Sequence, residues 1–410
     1  MRIHSLRLEP NAGSVRAVAA VEWEEASRPP LDVWFETPSE FAADFRADPN
    51  AFLTACLIPA IRHGEKRIAL EGPVCPQLLD GLRCAMELFR EWHGESRRPL
   101  RIESAAGERA PEPRSPSHAA FFLSGGVDSL HLLRTNRSQL PLSHPGSFRS
   151  ALFVYGRDFP GAEESPESKN FLERSRENLA PLARESGFEI VPIGSNARQL
   201  ESDHGFFLLE YFGSFLVAAA STLSRRWSSV SLASSWDIGH LRPWGSHPLL
   251  DPCFSSAAMS VRHEGAGRTR LEKLFELSEW EPAIRRLAVC NHAPGGAWLN
   301  CGRCGKCLLT LSALFLAGRV ETATSFPPGS LTPEAIRRLS VDGDFADLWR
   351  QRIEPLRASG DAEMVRAVEE KIREGDRHRR WVARKGWKGR LRHVDDRFFG
   401  GRLRKLVRGT

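Results

Sequence analysis

At 410 residues the chain is long enough for two or three domains with cores of their own, and 41% hydrophobic with 26% charged residues exclude a disordered or fibrous polymer. The formal net charge of +6 is unevenly placed: thirteen Lys/Arg stand between Arg377 and Thr410 against Asp395 and Asp396 alone, so the rest of the chain is acidic. The stretch after Met1 is interrupted by Arg2, His4, Arg7 and Glu9, so no secretory signal is expected and the eight cysteines point to metal or thiol chemistry in the cytoplasm before disulfides.

Residues 1–105 alternate strand-like and helix-like patches and predict an N-terminal α/β domain. The extended patches are 3–8, 17–23, 32–36, 67–70 and 100–102, and the helical ones 41–61 and 75–93. Cys56, Cys75 and Cys84 fall in its helical or turn segments and read as packing residues. Residues 106–117, with Pro111, Pro113 and Pro116 among polar neighbours, predict a linker. Residues 118–315 then repeat strand, loop and helix: strands at 119–123, 151–155, 188–193 and 230–233, with helices from Leu130, over 170–186 and over 206–225. The last of these is the most apolar stretch, but Glu210, Gly213 and Ser214 interrupt it, so it reads as a buried helix and no transmembrane segment is expected. The fold class predicted is α/β, a parallel sheet with helices on both faces and its ligand at the carboxyl ends of the strands.

Residues 316–375 read as a helical region, with Thr332-Pro333-Glu334 supplying an N-cap and a proline at the first helical position. In the basic tail, 376–410, Trp387, Leu391, Val394 and Phe398 share one helical face ringed by Lys388, Arg390, Arg392 and Arg397. Such a helix suits a nucleic-acid backbone, an anionic membrane, or an acidic surface including the chain's own body.

Between the strand at 119–123 and the following helix lies Ser124-Gly125-Gly126-Val127-Asp128-Ser129. A short apolar strand feeding a small-residue loop and a helix presents backbone N–H groups to phosphate, and the two glycines remove the Cβ atoms that would block its approach. Ser124 and Ser129 add hydroxyls, and Asp128 is placed to orient a loop amide or bind Mg²⁺. No Gly-Lys-Ser/Thr follows, so this is not the Walker loop that grips a γ-phosphate. The plain alternative is a serine- and glycine-rich turn at a helix start.

Downstream, Cys290 is followed by the knuckle Cys301-Gly302-Arg303-Cys304-Gly305-Lys306-Cys307. Four thiolates, three of them closely spaced, suit tetrahedral Zn²⁺, with an iron–sulfur cluster or free redox thiols as the alternatives. His292 stands in reserve as a ligand, while Cys253 is a lone thiol that reads as packing.

The loop resembles that of the PP-loop ATP pyrophosphatases, and with the cysteines the region from about 119 to 313 resembles 7-cyano-7-deazaguanine synthase, a family of that superfamily. Tyr155-Gly156-Arg157 falls where the family carries a Tyr-Gly-Gln-Arg string, and Ser234-Ser235-Trp236-Asp237 where its fourth strand ends near substrate. The chain departs from the pattern at Trp244-Gly245-Ser246-His247-Pro248-Leu249-Leu250-Asp251-Pro252, and the family's lysine-containing string appears as Thr269-Arg270-Leu271-Glu272-Lys273. The resemblance implies a PP-loop sheet of the adenine-nucleotide alpha-hydrolase type and ATP, Mg²⁺ and Zn²⁺ as cofactors. It implies adenylation of a carboxylate or amide oxygen on a small molecule or peptide end, then displacement of AMP by an amine or ammonia. It makes Ser124 to Ser129 and Tyr155 the nucleotide-binding set, Asp128, Arg157, Arg270 and Lys273 the catalytic set, and the four cysteines the metal ligands. Each cation alone is more often a surface charge. A tRNA-modifying PP-loop enzyme that thiolates or amidates a base is the second expectation, the tail then meeting nucleic acid, and a homodimer is compatible with either. His204 and His247 lie near expected strand ends and read first as histidines of capped turns. Trp236 and Trp244 suit stacking on a base or sugar as well as core packing.

Overall fold

The computed structural model describes residues 1–104, 118–156, 166–290, 298–341 and 343–382. The expected linker, Arg157 and the aromatic face of the basic tail therefore lie outside the described residues. The chain divides into two compact units, Met1–Asn300 with Thr322–Ser325, and Cys301–Glu321 with Phe326–Thr410.

In the first unit the chain runs β1 Arg2–Asn11, β2 Ser14–Glu22, β3 Leu31–Pro38, α1 Pro49–Arg62, β4 Arg67–Leu70, α2 Pro76–His93 and β5 Arg101–Ser104. It continues β6 His118–Phe122, α3 Val127–Gln139, β7 Phe148–Tyr155, α4 Pro166–Ser186, β8 Glu189–Ser195, α5 His204–Phe206, α6 Phe212–Ser221, β9 Trp227–Ala233, β10 Ser260–Glu264, α7 Arg270–Ser278 and α8 Glu281–Ile284. The helix expected from residue 41 starts at α1, because Pro49 sets the first helical φ and the Asp48 carboxylate accepts the Asn50 N–H. Strand β10 escapes a hydrophobicity reading: it is an edge strand and Val261 is its one buried hydrophobic residue.

All ten strands join one mostly parallel sheet in the order β10-β9-β6-β7-β8-β3-β2-β1-β4-β5. From β8 to β10 the order is 3-2-1-4-5 in chain sequence, every neighbour parallel, which is the doubly wound arrangement. Segment 1–105 does not build a sheet apart from it. Strand β3 pairs antiparallel with β8, Phe35 opposite Ser195 and Glu36 opposite Gly194, and α1, α2 and α6 share one apolar core with Ala120, Phe122, Leu152 and Val154 of the parallel half. The opposite face of the parallel half buries Phe121 against Phe148 and Phe188, and the contacts of α3 with β6 and α4 with β8 bring helices to the sheet.

The long apolar helix is interrupted by a π-helical turn, Phe207–Tyr211, between α5 and α6. Gly245 lies against that turn, giving its N–H to Leu208 O at 3.1 Å and accepting the Gly213 N–H at 2.5 Å. A Cβ on Gly245 would come within 2.8 Å of Leu208 O, and one on Gly213 within 2.5 Å of Asp251 Oδ1, so glycine at both positions lets the following loop insert. Among the described residues the stretch His204–Ser221 is long and apolar enough to cross a membrane, and 72% of it is buried inside the protein, the pattern of a core helix.

The second unit carries α9 Gly305–Leu316, α10 Pro333–Arg337, α11 Gly343–Arg350, α12 Ile353–Ser359 and α13 Ala362–Val382. Leu308, Ile336, Trp349, Leu356 and Val368 form its core. Arg352 is fully buried there and gives its guanidinium to Ser312 Oγ at 2.9 Å and Leu309 O at 3.0 Å. Thr332 caps α10 by accepting the Ala335 N–H, as the Thr-Pro-Glu string predicts.

Burial holds His63, His93, His118, His131 and His247 below the usual imidazole value. The unfolded chain takes up protons at these positions before the folded one, so their contribution is complete above the ordinary value and is lost as pH falls toward the folded values. The midpoint of thermal unfolding should drop between about pH 7 and about pH 5; a flat profile over that range would show that the histidines do not couple to folding.

Candidate functional site

Residues 124–129 connect β6 to α3 at the carboxyl end of the sheet's central parallel strand. Gly125 has φ +75°, in the left-handed region, and its carbonyl accepts the Ala288 N–H at 2.8 Å. The two serine hydroxyls lie 3.2 Å apart; Ser124 Oγ accepts the Gly126 N–H at 3.2 Å, and Ser129 Oγ donates to Gly126 O at 3.1 Å. The loop is thereby tied to itself. Gly126 occupies the N-cap position and no side chain caps α3, so side chains leave the first-turn N–H groups to another acceptor.

Asp128, in the first turn of α3, receives Lys273 Nζ at 3.1 Å and Arg270 Nη2 at 3.6 Å. Lys273 is buried and also donates to Ser234 O at 2.5 Å. Both cations come from α7, which starts in a capping box: Thr269 Oγ1 accepts the Glu272 N–H and the Glu272 carboxylate accepts the Thr269 N–H. Three residues apart, they share a helix face. Farther along, His131 meets Glu276 at 2.7 Å and Arg134 meets Glu279 at 2.7 Å, so polar pairs continue along the α3–α7 contact. Burial alone would raise the Asp128 pKa, but Arg270 and then Lys273 outweigh it and hold the carboxyl below the usual range.

Beside this pair opens a small cleft with one apolar wall on the sheet and another on a helix. Phe122, Leu152 and Val154 form its sheet wall, Phe212 and Leu216 its helix wall, and Ser124, Asp128, Ser129, Ser235 and Ser246 its polar lining. It lies where the connections leave β6 in opposite directions across the sheet, β7 on one side and β9 on the other, the position at which open α/β sheets bind ligands.

Tyr155 does not join the cleft. Val154 lines it, so strand alternation turns Tyr155 to the other face, where its ring covers Gly194. Burial, with the Glu36 carboxylate, pushes its phenol up to about 12. Trp236 and Trp244 pack edge to face at 6.2 Å with the Arg242 guanidinium over both rings. His204 follows the Asp203 cap of α5. His247 is buried against Trp92 and accepts the Leu249 N–H.

The thiols of Cys290, Cys301, Cys304 and Cys307 all lie within 4.8 Å of one another, with sulfur separations of 3.9 Å for Cys301–Cys307 and 3.4 Å for Cys304–Cys307. Zinc–sulfur bonds of about 2.3 Å in a tetrahedron place sulfurs roughly 3.8 Å apart, so the four could hold a metal such as zinc. Cys304 is the N-cap of α9, and Cys307 sits in its first turn. Asn300, which the sequence reading passed over, is fully buried; its carbonyl oxygen accepts the Val289 N–H at 2.8 Å and the Cys290 N–H at 3.2 Å, and its amide donates to Leu287 O at 2.7 Å. No local pattern marks such an asparagine, because its partners are set by the path of the folded chain. The other missed residues, Asp251 and His263, are likewise distant in sequence from the loop.

Comparison with known proteins finds no matching family model, no similar curated protein and no similar solved structure.

Replacing Asp128 with Ala leaves Lys273 buried with a single backbone partner, a loss of about 3 kcal/mol. Denaturant unfolding should report that loss, and Asp128→Ala combined with Lys273→Met should regain a good part of it; additive losses would refute the pairing. Elemental analysis should find one equivalent of zinc per chain, lost in Cys304→Ser, whereas stoichiometric iron and sulfide would identify a cluster instead.

Proposed function

We propose that this chain is an ATP-dependent ligase of the PP-loop pyrophosphatase type, resembling 7-cyano-7-deazaguanine synthases. The observation that carries the reading is the Ser-Gly-Gly-Val-Asp-Ser loop at the switch point of the sheet, with Asp128 holding Arg270 and Lys273 beside the cleft. The uncapped first turn of α3 and the serine hydroxyls are the donors for phosphate oxygens, while Arg270 and Lys273 neutralise the charge that builds up on the leaving group. A carboxylate oxygen of a small molecule or peptide end attacks the α-phosphorus. The new P–O bond forms as the bond to the β-phosphate breaks, and pyrophosphate leaves with the electron pair. An amine or ammonia then displaces AMP from the acyl carbon and forms the C–N bond.

Mg²⁺, which neutralises phosphate charge in such reactions, would be held chiefly by the phosphates, since Asp128 already has two cationic partners. The four-cysteine site supports a structural role for zinc, its thiolates fully used as ligands. A thiol free to carry persulfide is what the tRNA-thiolating alternative needs, and commitment of the cluster to metal favours the ligase. The reading places the protein in the cytoplasm.

Release of AMP and pyrophosphate from ATP should be measured with a panel of aliphatic and aromatic carboxylates, 7-carboxy-7-deazaguanine and bulk tRNA, each with ammonium. One carboxylate should give AMP and pyrophosphate in equal amounts, and Asp128→Ala should lower that rate about 100-fold or more. Equal rates in wild type and variant with every substrate end the catalytic reading, and turnover with tRNA alone moves it to base modification.

A further inference from the structure

A second polar cluster lies behind the cleft wall. Ser246, part of the cleft lining, donates its hydroxyl to Asp251 Oδ2 at 2.7 Å. His263 Nδ1 bonds the same oxygen at 2.7 Å, and the His247 N–H reaches Oδ1 at 3.3 Å. The Asp251 carboxylate is fully buried and the His263 side chain is 2% exposed. Among the described residues no lysine or arginine pairs with Asp251. His263 Nε2 is buried without a hydrogen-bond partner. His263 is thus placed to donate from Nδ1 to Asp251 Oδ2, which leaves Nε2 as a spare acceptor.

The cluster is fixed from behind. The carbonyl of Gly245 is held by the Gly213 N–H beside the π-helical turn, and Asp251 Oδ1 occupies the space that a side chain on Gly213 would need. Because the Ser246 hydroxyl hydrogen is directed to Asp251, the oxygen keeps its lone pairs for a donor in the cleft. A ligand N–H is such a donor, and the buried carboxylate behind the hydroxyl favours a group that carries or sheds a proton.

We propose that Ser246, backed by Asp251 and His263, is the subsite for the amine nucleophile, ammonia or a primary amine, and the acceptor of its proton. This rests on the adenylation reading above. The nitrogen lone pair attacks the acyl carbon and the C–N bond forms; the C–O bond to AMP breaks, its electron pair leaving on the phosphate oxygen. The nitrogen's proton passes to Ser246 Oγ as the hydroxyl proton passes to Asp251 Oδ2. Ser246 touches the substrate, whereas Asp251 and His263 are positioning residues that act through it.

Two assays on the full chain separate the half-reactions, both using whichever carboxylate of the panel supports ATP–pyrophosphate exchange. Ser246→Ala should keep exchange close to the wild-type rate while amide formation with ammonium falls about 100-fold, the usual worth of a positioned proton acceptor. Ser246→Thr, which keeps the hydroxyl, should restore the reaction with ammonium. His263→Gln should shift the pH profile of amide formation and leave that of exchange in place. An equal loss of exchange and transfer in Ser246→Ala, or undiminished transfer to ammonium, overturns this subsite and leaves adenylation standing. Absence of exchange in the wild type with every carboxylate overturns the adenylation reading and this assignment with it.

Discussion

The contact of Asp128 with Lys273 and Arg270 is the constraint on which the candidate site depends. A buried ammonium is tolerated only with a close anion and hydrogen-bond acceptors, and Lys273 has one carboxylate and one carbonyl, Ser234 O. That requirement fixes α7 against α3, and a His131–Glu276 hydrogen bond joins the same helices farther along. The chain after α7 and α8 then returns to the loop, where Ala288 bonds Gly125 O, and reaches Cys290, whose N–H is held by Asn300. Loop, cation pair and the first metal-ligand candidate are thus placed by one continuous set of contacts.

The antiparallel strands are not an appendage to this arrangement. Thr37 donates its hydroxyl to Pro192 O, Ser195 donates to Trp34 O, and Asn196 joins the Trp34 N–H to Asp32 O. These bonds seal the β3–β8 junction, where Pro192 has no N–H to offer a neighbouring strand. The result is a single sheet whose carboxyl-terminal, parallel half ends in the cleft and whose amino-terminal, mixed half extends the apolar core. The first hundred residues therefore support the site through the sheet without lining the cleft.

One departure from regular helical geometry shapes the cleft. The π-helical turn opens the buried helix by one residue, and Gly245 meets the groups on either side of it. Without that opening, Gly245, Ser246 and Asp251 would have no room beside α6. The same segment holds Ser246 and Asp251, whose hydroxyl–carboxylate hydrogen bond backs the polar lining of the cleft.

Local signals carried much of the outline. The apolar strand at 119–123, the glycines at 125 and 126, the Thr269–Glu272 capping box and the cysteine knuckle are each written within a few residues, because backbone geometry and ligand spacing are short-range properties. Strand alternation, equally local, would have turned Tyr155 away from Val154, but which face bore the cleft was not local. The pairing of β3 with β8, the π-helical turn, Asn300 beneath Cys290, and His263 behind Asp251 all join residues far apart in the chain. No composition or period encodes those partners. They exist because burying polar groups in a shared core forces each to find a donor or acceptor, and only the closed tertiary structure decides which one lies within reach.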